Sequence, residues 1–240
     1  MDYVSPLPPV RSGIADYSLD LLPHLSALAD VRLIRLPGQP VAPEVLARWP
    51  SVPLAEADAA GAGRLPLYQM GNNSYHADVG ERARLRPGVL TLHDVVLHHL
   101  LLDRTLGRGD FYGYRDRLSE DHGWIGRATA TAKRWNAYGE APIFALPAHA
   151  TLLARQRGVL VHSAWAARVV EEEVPGVRVR AIPMGVPLPE PADFAAGRAL
   201  RRRFGLPDDR PVLGSFGFQT PIKRTETAIR ALAAPGLEHV

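Results

Sequence analysis

Two rhythms of apolar positions divide the chain. Short apolar runs at residues 3–5, 31–36, 67–70, 88–92, 159–161 and 178–182 have the length and composition of strands. Between them, apolar residues recur at helical spacing. In the clearest case Ile14, Tyr17, Leu21, Leu25 and Leu28 are expected to form one buried stripe, with Ser12 as the N-cap, Asp16 near the positive helix end and a kink at Pro23. The proline-rich residues 37–53 read as loops around a short helix. Further helices are expected over 95–104, over 110–138 as one or two pieces, and after Ser163 as far as Pro175-Gly176. Strands alternating with helices predict an α/β fold, a parallel sheet with helices on both faces.

A second pattern begins after a proline-rich linker at 184–191. A helix is expected over 193–204, a strand over 211–216, a loop over 217–224 and another helix from Thr225. This reads as the opening of a second α/β domain. The expected domains are 1–187 and 188–240, the second incomplete at Val240. The short first strand suggests that the natural start lies upstream of Met1.

Composition narrows the class. Hydrophobic residues make up 46% and charged residues 22% of the 240 positions, which is the balance of a globular chain. No apolar run is long enough for a transmembrane helix, and no basic-then-apolar leader opens the chain. Cysteine is absent, so disulfides and thiolate metal sites are excluded, and a cytoplasmic location fits. The net charge of +3 comes from 26 arginines and two lysines, Lys133 and Lys223, spread along the chain. That spread argues against a nucleic-acid partner. The densest basic cluster, Arg198 with Arg201, Arg202 and Arg203, reads as a solvated helix face.

Several chemistry-bearing residues fall directly after strands, the edge of a parallel sheet where ligands bind. They are Gly13, Gly71 with Asn72, His93 with Asp94, and Ser163. Gly13 would let an anionic group approach free N–H groups at a helix start; the alternative is a tight turn. His93 could hydrogen-bond a substrate or move a proton, while Asp94 could simply cap the next helix. The run His93-Asp94-Val95-Val96-Leu97-His98-His99 invites a metal reading, but its spacing is wrong for a helical histidine pair, and no metal site is expected. Lys223, with Arg224 beside it, sits before a helix and suits a diphosphate. Gly61-x-Gly63 and Gly107-x-Gly109 lack the third glycine of a dinucleotide fingerprint.

In order, Pro8-Pro9, Ser12-Gly13-Ile14-Ala15-Asp16-Tyr17, Gly71-Asn72, Leu92-His93-Asp94, Val161-His162-Ser163, Ile182-Pro183-Met184-Gly185-Val186 and Phe216-Gly217-Phe218 with Lys223-Arg224 resemble family 4 glycosyltransferases of the GT-B fold. The resemblance implies two Rossmann-like domains, the first holding the acceptor and the second a nucleotide sugar. It implies sugar transfer with retention, without a metal or cofactor, of the kind used in cell-envelope polysaccharide synthesis. The nucleotide-sugar donor is then a co-substrate. The acceptor is a carbohydrate or is lipid-linked, and the aromatic, arginine-rich stretch 110–138 could touch the inner face of a membrane. By the same resemblance Gly13 lies by the donor diphosphate, His93 contacts the transferred sugar, and Lys223 binds the diphosphate. Phe218 stands where many members have arginine, and the family's glutamate-rich donor motif would lie beyond Val240. The alternatives are a non-catalytic anion- or sugar-binding module and a metal-dependent hydrolase.

Overall fold

The computed structural model describes residues 1–59, 63–187, 193–209, 211–217, 219 and 223–236. The chain divides into two compact units, Met1–Pro187 and Leu188–Val240. The first is built on seven parallel strands: β1 (Asp2–Val4), β2 (Arg32–Arg35), β3 (Ser51–Pro53), β4 (Pro66–Met70), β5 (Val89–Leu92), β6 (Gly158–Val161) and β7 (Val179–Ala181). Their spatial order is β3-β2-β1-β4-β5-β6-β7. From β1 the chain first moves outward through β2 to β3. It then returns to the other side of β1 with β4, which makes the gap beyond β1 and β4 the topological switch point. This is a Rossmann-like α/β sheet.

Alternation along the strands explains the two layers. Tyr3, Leu33 and Leu67 are aligned in register and point to the face covered by α1 (Gly13–Leu28) and α2 (Pro43–Arg48), where Leu22, Val45 and Trp49 pack on them. Val4, Ile34, Tyr68, Leu90 and Val159 point to the other face. There they meet α3 (Ala77–Leu85), α4 (His98–Arg104), α7 (Ala150–Leu153) and α8 (Ala164–Glu173). Between α4 and α7 lie α5 (Phe111–Arg134) and the short α6 (Ala141–Ala145). Gly123, at φ 57° and ψ −137°, breaks α5 into two helical pieces.

Four expectations need correction. First, residues 37–53 hold a strand, β3, beside the expected helix α2. Three residues between prolines carry too little pattern to mark it. Second, the buried line of α1 is Ala15, Ser18 and Leu22, one position away from the expected stripe, and Leu28 is 86% exposed. Ser18 tolerates burial because its hydroxyl contacts the Tyr3 and Ser5 hydroxyls and donates to the Ile14 carbonyl. Third, the helix after β5 starts at His98, not at Val95. The β-branched Val95 and Val96 favour extended backbone. The Val95 carbonyl bonds the His149 ring and the Leu97 N–H donates to the Pro147 carbonyl.

The fourth correction concerns the second unit, which contains α9 (Phe194–Arg203) and α10 (Thr225–Ala231). Its residues 211–216 form no strand, and Phe216 is 91% exposed. A parallel strand needs a ladder partner, and the described residues of this unit offer none. Asp193 caps α9, accepting from the Ala195 and Ala196 N–H groups at 2.9 Å each. Gly61, linker residues 188–191, and Phe218, Thr220, Pro221 and Ile222 lie outside the described residues. No helix among the described residues is long and apolar enough to cross a membrane.

Candidate functional site

At the switch point, the carboxyl ends of β1, β4, β5 and β6 bring four sequence-distant segments together. The β1 loop leads into α1. Ser12 caps it, accepting from the Ile14 N–H at 3.3 Å, and the first N–H, that of Gly13, has no hydrogen-bond acceptor among the described residues. A Cβ built on Gly13 would have nothing within 4 Å, so space lies open beside this helix start. Gly71, after β4, differs: its Cβ would sit 2.5 Å from Ile14 Cδ1 and 2.8 Å from His76 Cε1. Gly71 is therefore needed for the close approach of α1 and the buried His76 to the end of β4.

His93 follows β5 and extends its ladder, the N–H donating to the Met70 carbonyl at 2.9 Å. It shares the face of Gln69 and Thr91, the side that α1 covers. Its ring Nε2 lies 2.8 Å from Gln69 Oε1, and its Nδ1 lies 3.2 Å from Nε2 of His162, the residue after β6. His162 Nδ1 in turn lies 3.1 Å from the Ile182 carbonyl oxygen, just past β7. Tyr17 from α1 closes the cluster, its ring edge-on to His93 at 4.9 Å and to His162 at 5.5 Å. Burial, with His162 and His76 nearby, pushes the His93 pKa down to about 3, so the ring is neutral near pH 7. A groove runs from Tyr17 along α1, between Asp20, Leu21 and His24 on one side and Ile182 to Pro187 on the other.

The remaining expected residues divide. Asp94 does not cap α4. Its carboxylate accepts from the Asn72 N–H at 3.0 Å, tying the β5 end to the β4 end. Burial raises its pKa and the Asn72 bond opposes the rise. Asn72 takes the capping role instead, its Oδ1 accepting from the Leu100 N–H at 3.1 Å. Ser163 caps α8, accepting from the Ala166 N–H at 3.1 Å. Gly71, Asn72, Asp94 and Ser163 thus have structural duties around the site. Lys223 and Arg224 lie in the second unit just before α10, Arg224 in the left-handed region at φ 52°.

His98 is a structural histidine. Its Nδ1 is 2.7 Å from the Leu146 carbonyl, its Nε2 is 2.8 Å from the Tyr114 hydroxyl, and it is fully buried. Neither nitrogen is available to a metal. Among the described residues no three His, Asp or Glu side chains gather as a metal site. A separate cavity of about 250 Å³ lies among α3, α4 and α5 on the other face of the sheet, lined by Met70, Leu97, Arg84 and Arg104.

Tyr17, Gln69 and His162 were given no site role from sequence, although Tyr17 and His162 stand within the resemblance. His162 carried a usable signal, since it stands directly after β6 as His93 stands directly after β5. Tyr17 stood in the expected buried stripe of α1, and Gln69 lay within the expected strand 67–70 and is fully buried. The chain matches no family model and no curated protein sequence.

Proposed function

We propose that the protein is a glycosyltransferase of the GT-B type, moving a sugar from a nucleotide-sugar donor to a carbohydrate or lipid-linked acceptor with retention. The observation that carries this reading is the pairing, at the switch point, of the open Gly13 helix start with a neutral, fixed His93. As a glycosidic bond to phosphate breaks, the electron pair leaves with the diphosphate and positive charge builds on the sugar ring. A helix N-terminus suits the first charge. A neutral imidazole suits the second, because a cation there would repel the ring. The acceptor hydroxyl then bonds to the sugar carbon and its proton passes to the departing phosphate. The sequence resemblance assigns Lys223 to the diphosphate, and Arg224 stands beside it in the chain.

The contacts of the other expected residues narrow the reading. Catalysis rests on His93, with Asp94 as a tether of the β4 and β5 ends. On α5 and just after it, Tyr112, Trp124 and Trp135 are exposed, which fits contact with a lipid-linked acceptor at a membrane surface.

A second reading, a non-catalytic anion- or sugar-binding module, is favoured by one fact: both ring nitrogens of His93 already have protein partners. The two readings part on titration with nucleotide sugars followed by backbone amide shifts, joined to an assay of free sugar release. Perturbation at Gly13 and Ile14 with release supports transfer. The same perturbation without release supports the binding module. An undisturbed Gly13 amide refutes both.

A further inference from the structure

We propose that His162 is a positioning residue that, through the Ile182 carbonyl, fixes the tautomer of His93 with its proton on Nδ1 and its lone pair on Nε2. The proposal rests on the proposed site only in taking His93 as the group positioned. Donors and acceptors can be counted along the chain of contacts from its far end. A backbone carbonyl only accepts, so His162 Nδ1, 3.1 Å from the Ile182 oxygen, carries the hydrogen. A neutral His162 then has its lone pair on Nε2. That nitrogen is 3.2 Å from His93 Nδ1, which must therefore be the N–H donor. A neutral His93 is left with its lone pair on Nε2, 2.8 Å from the Gln69 amide.

The Gln69 amide closes the count. As placed, its oxygen faces His93 and its nitrogen is buried with no partner. Oxygen and nitrogen ends of an amide have nearly the same shape, so the assignment follows the hydrogen bonds. Turning the amide gives the nitrogen an acceptor, the His93 lone pair, and leaves the partnerless place to the oxygen, which buried structure tolerates better than an orphaned N–H. Tyr17 packs edge-on against both imidazoles, at 4.9 Å and 5.5 Å between ring centres. The ring thus presents an acceptor on Nε2 whose amide partner a substrate hydroxyl can replace. It presents no free N–H.

Long-range proton–nitrogen correlation on histidine-labelled full chain reads each tautomer directly. At mildly alkaline pH, wild-type His93 is expected as the Nδ1–H tautomer. His162→Phe keeps an aromatic ring but no acceptor, and should move His93 to the Nε2–H tautomer. His162→Gln, whose amide oxygen can accept, should keep the Nδ1–H form. A merely structural role for His162 would lower the unfolding midpoint in both variants without exchanging the two nitrogen signals. Nε2–H in the wild type overturns the proposal whether or not either variant folds, and so does an unchanged His93 in a folded His162→Phe. If nucleotide-sugar turnover is present, His162→Phe should lower kcat about tenfold or more with KM nearly unchanged. Absent turnover with the expected tautomers would count against the glycosyltransferase reading alone.

Discussion

Gly13 and Gly71 both follow strands, yet a methyl group should have opposite consequences at the two positions. At Gly71 it would lie 2.5 Å from Ile14 Cδ1 and 2.8 Å from His76 Cε1, against the 3.5–4.0 Å of an ordinary carbon contact. Ile14 Cδ1 is the end of a flexible side chain and can turn aside. His76 cannot: it is fully buried, and its Nδ1 is held 3.0 Å from Asn73 Oδ1. Gly71→Ala must therefore displace His76 or shift the backbone at the β4 end, at a cost of about 1–3 kcal/mol. At Gly13 the methyl meets nothing within 4 Å and φ is not left-handed. Gly13→Ala should leave stability within about 0.5 kcal/mol, with alanine's better helix propensity acting in its favour. Urea denaturation with a fixed slope gives both numbers. In the same samples, Gly13→Ala should weaken nucleotide-sugar binding, because the methyl enters the space before the free N–H. A neutral Gly71→Ala beside a destabilised Gly13→Ala would refute the reasoning at both positions.

Other consequences can be checked on the same protein. Burial holds His76 and His98 near pKa 4, below the ordinary unfolded value of about 6.5. The unfolded state then binds more protons below pH 6.5, so their contribution is present above that pH and is lost as pH falls toward 4. Unfolding measured from pH 7 to 5 should show a loss of roughly 2 kcal/mol for each of these histidines, less in a His98→Gln variant; a flat profile contradicts the burial argument. Asp94→Ala should cost about 1–2 kcal/mol through the lost Asn72 N–H bond, and Asn72→Ala a similar amount through the lost cap at Leu100; an effect of Asp94→Ala equal to zero would restore it to a purely chemical role. Backbone amides of α9 should exchange quickly, since none of its residues is buried and a helix of ten residues is marginal alone; strong protection there would contradict this.

The sheet was legible because its strands are short apolar runs set between helical spacings, and the six first-unit strands expected from them lie within two residues of the observed ones. What escaped was governed by partners far along the chain. Ser18 is buried because Tyr3 and Ser5 meet its hydroxyl, and no local pattern records that. The buried Asp2 sits between Arg32 at 2.8 Å and Arg64 at 3.0 Å, an ion cluster invisible until the strands are paired. Asp94 looked like a cap because caps follow strands; its partner proved to be the Asn72 N–H. The positions of Gly13 and His93 beyond strand ends were legible from the apolar runs before them, on the edge where parallel sheets bind ligands. His162 shared the strand-end signal of His93, but the cluster it forms with His93, Tyr17 and Gln69 became visible only when the elements met. The expected strand at 211–216 had the right residues but no neighbour to complete its ladder.

The most direct test of the central claim is turnover of a panel of nucleotide sugars by the protein, alongside His93→Ala, with unfolding followed in parallel. The account predicts that one nucleotide sugar is consumed by the wild type. It predicts that His93→Ala loses on the order of 100-fold or more in turnover while remaining folded. Wild-type turnover in His93→Ala, or no nucleotide sugar consumed by a well-folded wild type, would contradict it.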